Sequence, residues 1–336
     1  MNRINEIAFC GYCHDQSLLK ASSSGGMARV LIDYYLRNEA LVYCAVFANN
    51  YHEAKYVRIE NVKEKPDIPG SIYFHAKITR EIIDAFIEDL GNKKRILIIG
   101  LPCDIALFYG ICKKENGQSE LVLFVDLICH GTIPKTIYDS YLAYIEKRAK
   151  ASIIKFSFRY KKAGYWLPVY MHAAFENGKV LERQLYLTEL GRAYELCLNE
   201  GCYYCKYKGD DQRCSDITIG DYRLGNRESE GYNSCGTSLI LPHTNKGIEA
   251  LNCLKGTFVY SRIDKSHAIG SNVSYFESTM ETKSRIQFKK NFKESGLLIA
   301  VRRSFSLKEY LIWLMPDWVR YSKLLKYILL FRSHFR

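Results

Sequence analysis

At 336 residues, 48% of them hydrophobic, the chain can bury a large core, and its composition excludes both a disordered and a membrane-embedded polypeptide. The net charge of +12 is uneven, because residues 283–336 hold 13 Lys and Arg against 3 Asp and Glu. The remaining body is nearly balanced, so no nucleic-acid partner is expected for the chain as a whole. No apolar run reaches the ~18–20 residues that span a bilayer, and the start lacks the pattern of a secretory signal. A cytoplasmic protein is expected, and there twelve cysteines read as metal ligands, redox groups or core residues rather than disulfides.

In chain order, Phe9 to Cys13 reads as a strand. Residues three apart on a strand face opposite ways, which separates Cys10 from Cys13 despite their C-x-x-C spacing. Ser22 to Gly26, SSSGG, precedes a helical pattern over Met27 to Asn38. Small hydroxyl residues and glycines before a helix let backbone N–H groups approach a phosphate, although the same residues also serve as a plain N-cap and turn. Strands are expected at Leu41–Phe47 and Tyr56–Glu60, with a helix near Ile78–Leu90. Ile96 to Ile99 is apolar throughout, as in a strand buried on both faces, and Pro102 then opens a helix. Cys103 is thereby set at the carboxyl end of a strand and at a helix N-terminus, where open α/β sheets place ligands.

The pattern repeats at Leu121–Ile128, which ends in Cys129, His130 and Gly131 before a helix from Pro134 to about Lys150. An alternating stretch then turns at Asn177-Gly178, the best hairpin signal in the chain. A helix over Thr188–Leu196 leads to Cys202-x-x-Cys205 and a short strand, Ile217 to Ile219, ending in Gly220-Asp221. Strands at 238–242 and 257–263 flank a helix, and the chain reads as helical from Glu281 onward with a break at Pro316. Cys44, Cys112 and Cys253 sit in apolar surroundings and read as core residues.

The fold class is α/β or mixed α+β: a mostly parallel central sheet with flanking helices, a β-rich insertion and a basic helical tail. The expected divisions are 1–150, an α/β lobe; 151–280, a lobe with the hairpin and cysteine loop; and 281–336, the tail. Cys202 and Cys205 fit a structural zinc or an iron–sulfur cluster, and spacing alone does not separate the two. A thioredoxin-like dithiol fits less well, because the surroundings are loop-like. Cys197-x4-Cys202-x2-Cys205 also matches a ferredoxin-like spacing, with Cys214 or another residue as a fourth ligand. The tail mixes Trp, Tyr and Leu with Lys and Arg. That composition suits packing helices with a solvated basic face, or peripheral contact with the inner membrane surface.

Five motifs, SSSGG, GLPCDIA, DLICHG, FSFRYKKAGYW and GCYYCKYKG followed by SDITIGD, occur in one order over residues 7 to 240. With them the chain resembles the coenzyme F420 hydrogenase/dehydrogenase beta-subunit family, in particular its bacterial branch associated with polysaccharide biosynthesis. The resemblance implies an oxidoreductase that passes electrons between a bound FAD and another carrier through a 4Fe-4S cluster. It assigns the cluster to Cys103, Cys129, Cys202 and Cys205, and has no place for Cys197 or Cys214. It assigns the FAD phosphates to Ser22, Ser23, Ser24, Gly25 and Gly26, with Thr218, Gly220 and Asp221 closing over the ring or cluster.

By the same resemblance Arg159 and Lys161 neutralise a pyrophosphate or acidic substrate. His130 and Lys161 are the catalytic candidates, although His130 reads first as a helix-capping or core histidine. The implied partners are an electron-transfer protein or small carrier, and a glycan precursor as substrate. The contrasting reading is a non-catalytic, metal-stapled module in a glycan-assembly complex at the membrane surface. Three positions depart from the family pattern: Ile72 replaces a lysine, Asp104 replaces a glutamine, and Tyr222-Arg223 stands where a tryptophan is usual.

Overall fold

The computed structural model describes residues 7–115, 118–222, 230–270 and 272–315. In chain order it forms β1 (Ala8–Cys13), α1 (Gln16–Ala21), α2 (Met27–Arg37), β2 (Leu41–Ala48), β3 (Glu53–Ile59), α3 (Arg80–Gly91), β4 (Ile96–Gly100) and α4 (Pro102–Lys114). There follow β5 (Val122–Leu127), α5 (Lys135–Ala149), β6 (Ile153–Tyr160), β7 (Tyr170–Phe175), β8 (Val180–Gln184), α6 (Glu189–Leu196) and α7 (Glu200–Tyr203). The chain continues through β9 (Ile217–Asp221), β10 (Ser238–Pro242), α8 (Asn245–Asn252), β11 (Phe258–Ile263), α9 (Lys265–Gly270), α10 (Lys283–Arg303) and α11 (Leu307–Leu314).

Eight strands form one sheet in the order β11-β1-β10-β9-β5-β4-β2-β3. The expected parallel sheet is its centre, β9-β5-β4-β2. The outer pairings are antiparallel, so the sheet is mixed. The four residues between β2 and β3 are too few for the crossover that a parallel neighbour needs. β9, β10 and β11 come from the 151–280 segment yet pair with strands of the 1–150 segment, so those two segments share one sheet.

The sheet separates two large cores, as its strand periodicity requires. Along β2, Leu41 and Tyr43 join the core beneath α4 and α5, whereas Val42, Cys44 and Val46 join the core beneath α2. Cys10 and Cys13 fall into different core clusters, as their separation along a strand implies. The second sheet, β6-β7-β8, turns at Asn177-Gly178 and lays Phe156, Phe158 and Met171 onto the first core. Cys44 and Cys112 are buried, but Cys253 is exposed: it caps the C-terminus of α8, whose apolar face ends at Leu251. In the tail, α10 breaks at Gly296 and is followed by α11. The expected break at Pro316 and the tail beyond it lie outside the described residues, as does Arg223. Among the described residues, no helix is long and apolar enough to cross a membrane.

Candidate functional site

Three adjacent parallel strands end on one edge of the sheet. β4 delivers Leu101 and Cys103, β5 delivers Cys129, His130 and Gly131, and β9 delivers Gly220 and Asp221. The carboxyl edge of such strands is where open α/β sheets bind ligands. Here it borders a cavity of about 560 Å³, closed on the far side by the SSSGG loop and by Gly70-Ser71.

The SSSGG loop reaches the cavity because Gly25 lies flat against β1 and β10. A Cβ there would sit 2.1 Å from the Gly11 carbonyl oxygen and 2.5 Å from Ser238 N. Both obstacles are backbone and neither can swing away. Gly25→Ala is therefore expected to push the loop off its seat and cost about 1–3 kcal/mol of stability. Denaturant unfolding beside a ligand-binding assay checks this, and unchanged values in both would refute it.

Ser22 and Ser24 spend their hydroxyls on the fold, on the Leu18 carbonyl at 2.6 Å and on Ser238 Oγ at 3.2 Å. Ser23 Oγ meets Ser71 Oγ at 2.7 Å and joins the loop to the Gly70-Ser71 segment. Gly26 caps α2, so the unbonded N–H groups of the first helical turn begin at the cavity wall. Arg29, in that turn, also lines the cavity. Its Nη2 donates to the Ala21 carbonyl at 3.1 Å, while its buried Nε has no hydrogen-bond partner.

Arg159 and Asp221 face the cavity as an ion pair, with Nη1 at 3.0 Å and 2.8 Å from the two carboxylate oxygens. The arginine expected to meet an anion directly is thus bound to an acid of the chain. Lys161 does not line the cavity. It lies buried behind the loop, donating to the Ser24 carbonyl at 2.7 Å and to that of Leu19. Its ammonium is committed to main-chain carbonyls, a position that braces the loop from behind and does not face the cavity.

Burial pushes the Lys161 pKa down to about 8. The unfolded chain then holds more protons between that value and the ordinary lysine value, so this group's contribution makes stability rise with pH across that window. Buried thiols raised to about 11 push the total the other way over the same window, so the Lys161 contribution is read as the difference in unfolding free energy change between pH 8 and pH 10 with and without the lysine. A Lys161→Met variant should lack that contribution, and identical slopes would refute the assignment.

Thr218 is likewise not a wall residue. It lies inside the ladder opposite Asp126, three positions short of the strand end. Its hydroxyl donates to Asp126 Oδ1 at 2.5 Å and stands 2.7 Å from His243 Nε2. Asp126 also accepts from Arg213 Nη1 at 2.8 Å, and all four side chains are buried. Gly220 and Asp221, at the strand end, do reach the cavity.

His130 lines the cavity, with Nδ1 3.3 Å from both Ser274 Oγ and Thr279 Oγ1 and its ring edge-on to Tyr194. Tyr194 is stacked on Tyr73 at 4.7 Å, giving this end of the cavity an aromatic wall.

Cys129 is shared between the cavity wall and the cysteine group. Its thiol interacts electrostatically with Cys202 and Cys205, and Cys103 does so with Cys129 and Cys205. Gly131, at φ 131°, makes the turn after Cys129, where a Cβ would meet Leu198 at 2.7 Å and Cys202 Cβ at 3.1 Å. The turn also brings Thr132 N–H to within 3.5 Å of Cys202 Sγ. Burial pushes the Cys129 thiol up to about 11 and raises Cys103 further. Metal loading would therefore release protons from these thiols. Cys197 packs in the core beside Leu198, where burial raises its thiol to about 11.

Three residues at the cavity or the cysteine group carry no motif that marks them in the sequence. Lys208 Nζ donates to the Cys129 carbonyl at 2.7 Å and the Ser274 carbonyl at 2.8 Å, and interacts with Cys129, Cys205 and Cys202. Its signal was position, three residues after Cys205. Arg29 had a similar one, the first turn after SSSGG. His75 had none. It lies 3.7 Å from Cys103 Sγ and 3.1 Å from Asp104 Oδ1, and the hydrogen bond to Asp104 raises its pKa. Among the described residues, His75, Cys103 and Asp104 form the group of potential ligand atoms that lie mutually within 4.8 Å.

The family comparison gives the class, that of hydrogenase and dehydrogenase beta subunits, an oxidoreductase family. The chain belongs to the coenzyme F420 hydrogenase/dehydrogenase beta-subunit family: the family model for the C terminus of that beta subunit matches residues 93–265. The fold is shared with a chain of the F420-reducing NiFe hydrogenase complex from Methanosarcina barkeri, solved as a xenon derivative. The two are 18% identical, the match covers 77% of this chain and 82% of that one, and the TM-score is 0.52. Comparison with curated proteins gives no match.

Proposed function

We propose that the chain is an electron-transfer oxidoreductase that binds FAD in the strand-end cavity and a 4Fe-4S cluster at Cys103, Cys129, Cys202 and Cys205. The observation that carries this reading is Cys129, which belongs both to the cavity wall and to the cysteine group. A flavin handles electrons in pairs or singly and an iron–sulfur cluster one at a time, so the two together link a hydride donor to a one-electron carrier.

The residues present fit both groups. Ser23, Ser71, the first turn of α2 and the unpartnered Nε of Arg29 offer donors to a pyrophosphate. The Arg159–Asp221 pair orients what lies beyond it, and Tyr73 and Tyr194 exclude water from that end. His130, held by Ser274 and Thr279, has the proton-transfer role. The four cysteines interact electrostatically without gathering within 4.8 Å of one another. Four thiolates could hold either a single zinc or a 4Fe-4S cluster, and the cavity wall at Cys129 favours the redox-active group. Thr132 N–H and Lys208 supply the hydrogen bond and positive charge that tune a cluster's potential.

The proposed partner is an electron-transfer protein or small carrier. The proposed setting is cell-surface polysaccharide biosynthesis with a glycan precursor as substrate, a reading supported by the resemblance to that bacterial branch. Protein purified without oxygen tests the cofactors. Flavin absorption, a broad iron–sulfur shoulder and about four irons per chain are expected. Colourless protein with one zinc would instead establish the metal-stapled module.

A further inference from the structure

The last two described helices carry apolar side chains on the side away from the core. Trp313 anchors α11: it is buried, its ring lies 4.7 Å beneath the Arg183 guanidinium, and it stacks on Tyr310. The opposite arrangement holds for Leu307, Leu311 and Leu314, which are 76%, 54% and 52% exposed. Their spacing of four and three puts them on one stripe of the helix. Leu298 and Ile299 are exposed at the end of α10, followed one turn later by exposed Arg302 and Arg303. Arg302 stands 5.9 Å from the Tyr310 ring, and Tyr310 lies one turn from both Leu307 and Leu314. Cations therefore border the leucine stripe.

From this geometry we infer that α10 and α11 form a docking face for an anionic lipid surface, with the leucine stripe entering the headgroup boundary and the flanking cations meeting lipid phosphates. Charge decides between the candidate occupants. A second copy of the chain would bring Arg302 and Arg303 against a segment with the same surplus of positive charge, +10 over residues 283–336. An acidic bilayer relieves that repulsion and also takes up the leucines, which belong to none of the hydrophobic core clusters among the described residues. Amphipathic helices that lie in the interface plane combine these two features, and their binding weakens as salt screens the charge. Three leucines alone are a small apolar area, so charge and apolar contact are both needed.

The inference stands apart from the cofactor reading, and vesicle co-sedimentation of the full chain tests it, with iron content measured on the same samples. Binding is expected to vesicles containing phosphatidylglycerol and not to pure phosphatidylcholine. It should fall at least about tenfold between low and high salt, as screening requires. Arg302→Glu with Arg303→Glu, and separately Leu307→Ser with Leu311→Ser and Leu314→Ser, should each reduce binding at least about fivefold while iron content and circular dichroism stay unchanged. No binding at low salt, equal binding to neutral vesicles, or indifference to either variant would overturn it. So would a concentration-dependent dimer abolished by the leucine substitutions, which would give the face to a second copy.

Discussion

Cys129→Ala is expected to reduce bound iron from about four per chain to a trace, while Cys197→Ala leaves it unchanged. Both residues are cysteines raised to about 11 by burial, so neither thiol's acidity separates them. Position separates them: Cys129 interacts with Cys202 and Cys205 at the cavity edge, whereas Cys197 packs in the hydrophobic core beside Leu198. The experiment is iron analysis and visible absorption on anaerobically purified variants. Iron retained by Cys129→Ala, or lost from Cys197→Ala, would overturn the ligand set. Flavin retained by an iron-free Cys129→Ala protein would show that the two groups bind separately across a shared wall.

Arg159→Leu is expected to destabilise the protein by about 3–5 kcal/mol, because it takes the guanidinium away from a carboxylate that is largely buried. The side chains of the pair are 11% and 12% exposed, and Nη1 reaches both carboxylate oxygens. Replacing both partners together, Arg159→Leu with Asp221→Leu, should recover most of the loss, since removing a buried pair costs far less than breaking it. Arg159→Lys should recover little, because a lysine cannot present a guanidinium's donors to the carboxylate. Chemical denaturation of the three variants gives the cycle, and additive losses would show that the pair does not act as a unit. The pair joins β6 of the small sheet to β9 of the large one, so its loss should also lower affinity for whatever fills the cavity.

Much of this architecture was legible along the chain. Ile96 to Ile99, apolar throughout, and Leu121 to Ile128, apolar but for Asp126, announce buried strands, and both form at the sheet centre. Asn177-Gly178 turns the hairpin as its residue types demand. From these alone Cys103 and Cys129 could be set at neighbouring strand ends, because a strand's exit point follows from where its apolar run stops. Cys10 and Cys13 could be separated by the two-residue period. All of this depends on residues a few positions apart, which sequence reports directly.

The outcomes that could not be read depend on distant partners. Lys161 and Arg159 sit two apart in one motif, yet one braces a loop 137 residues away and the other pairs with Asp221 on the cavity wall. Thr218 and Gly220 share a strand, but only the second lies at its end. His75 meets Cys103 across 28 residues with no motif to mark it. Periodicity and turn chemistry specify which elements form and where each one ends. Which side chains share a cavity is decided by how strands 90 to 230 residues apart take their places in one sheet, and that order is a property of the whole packed core.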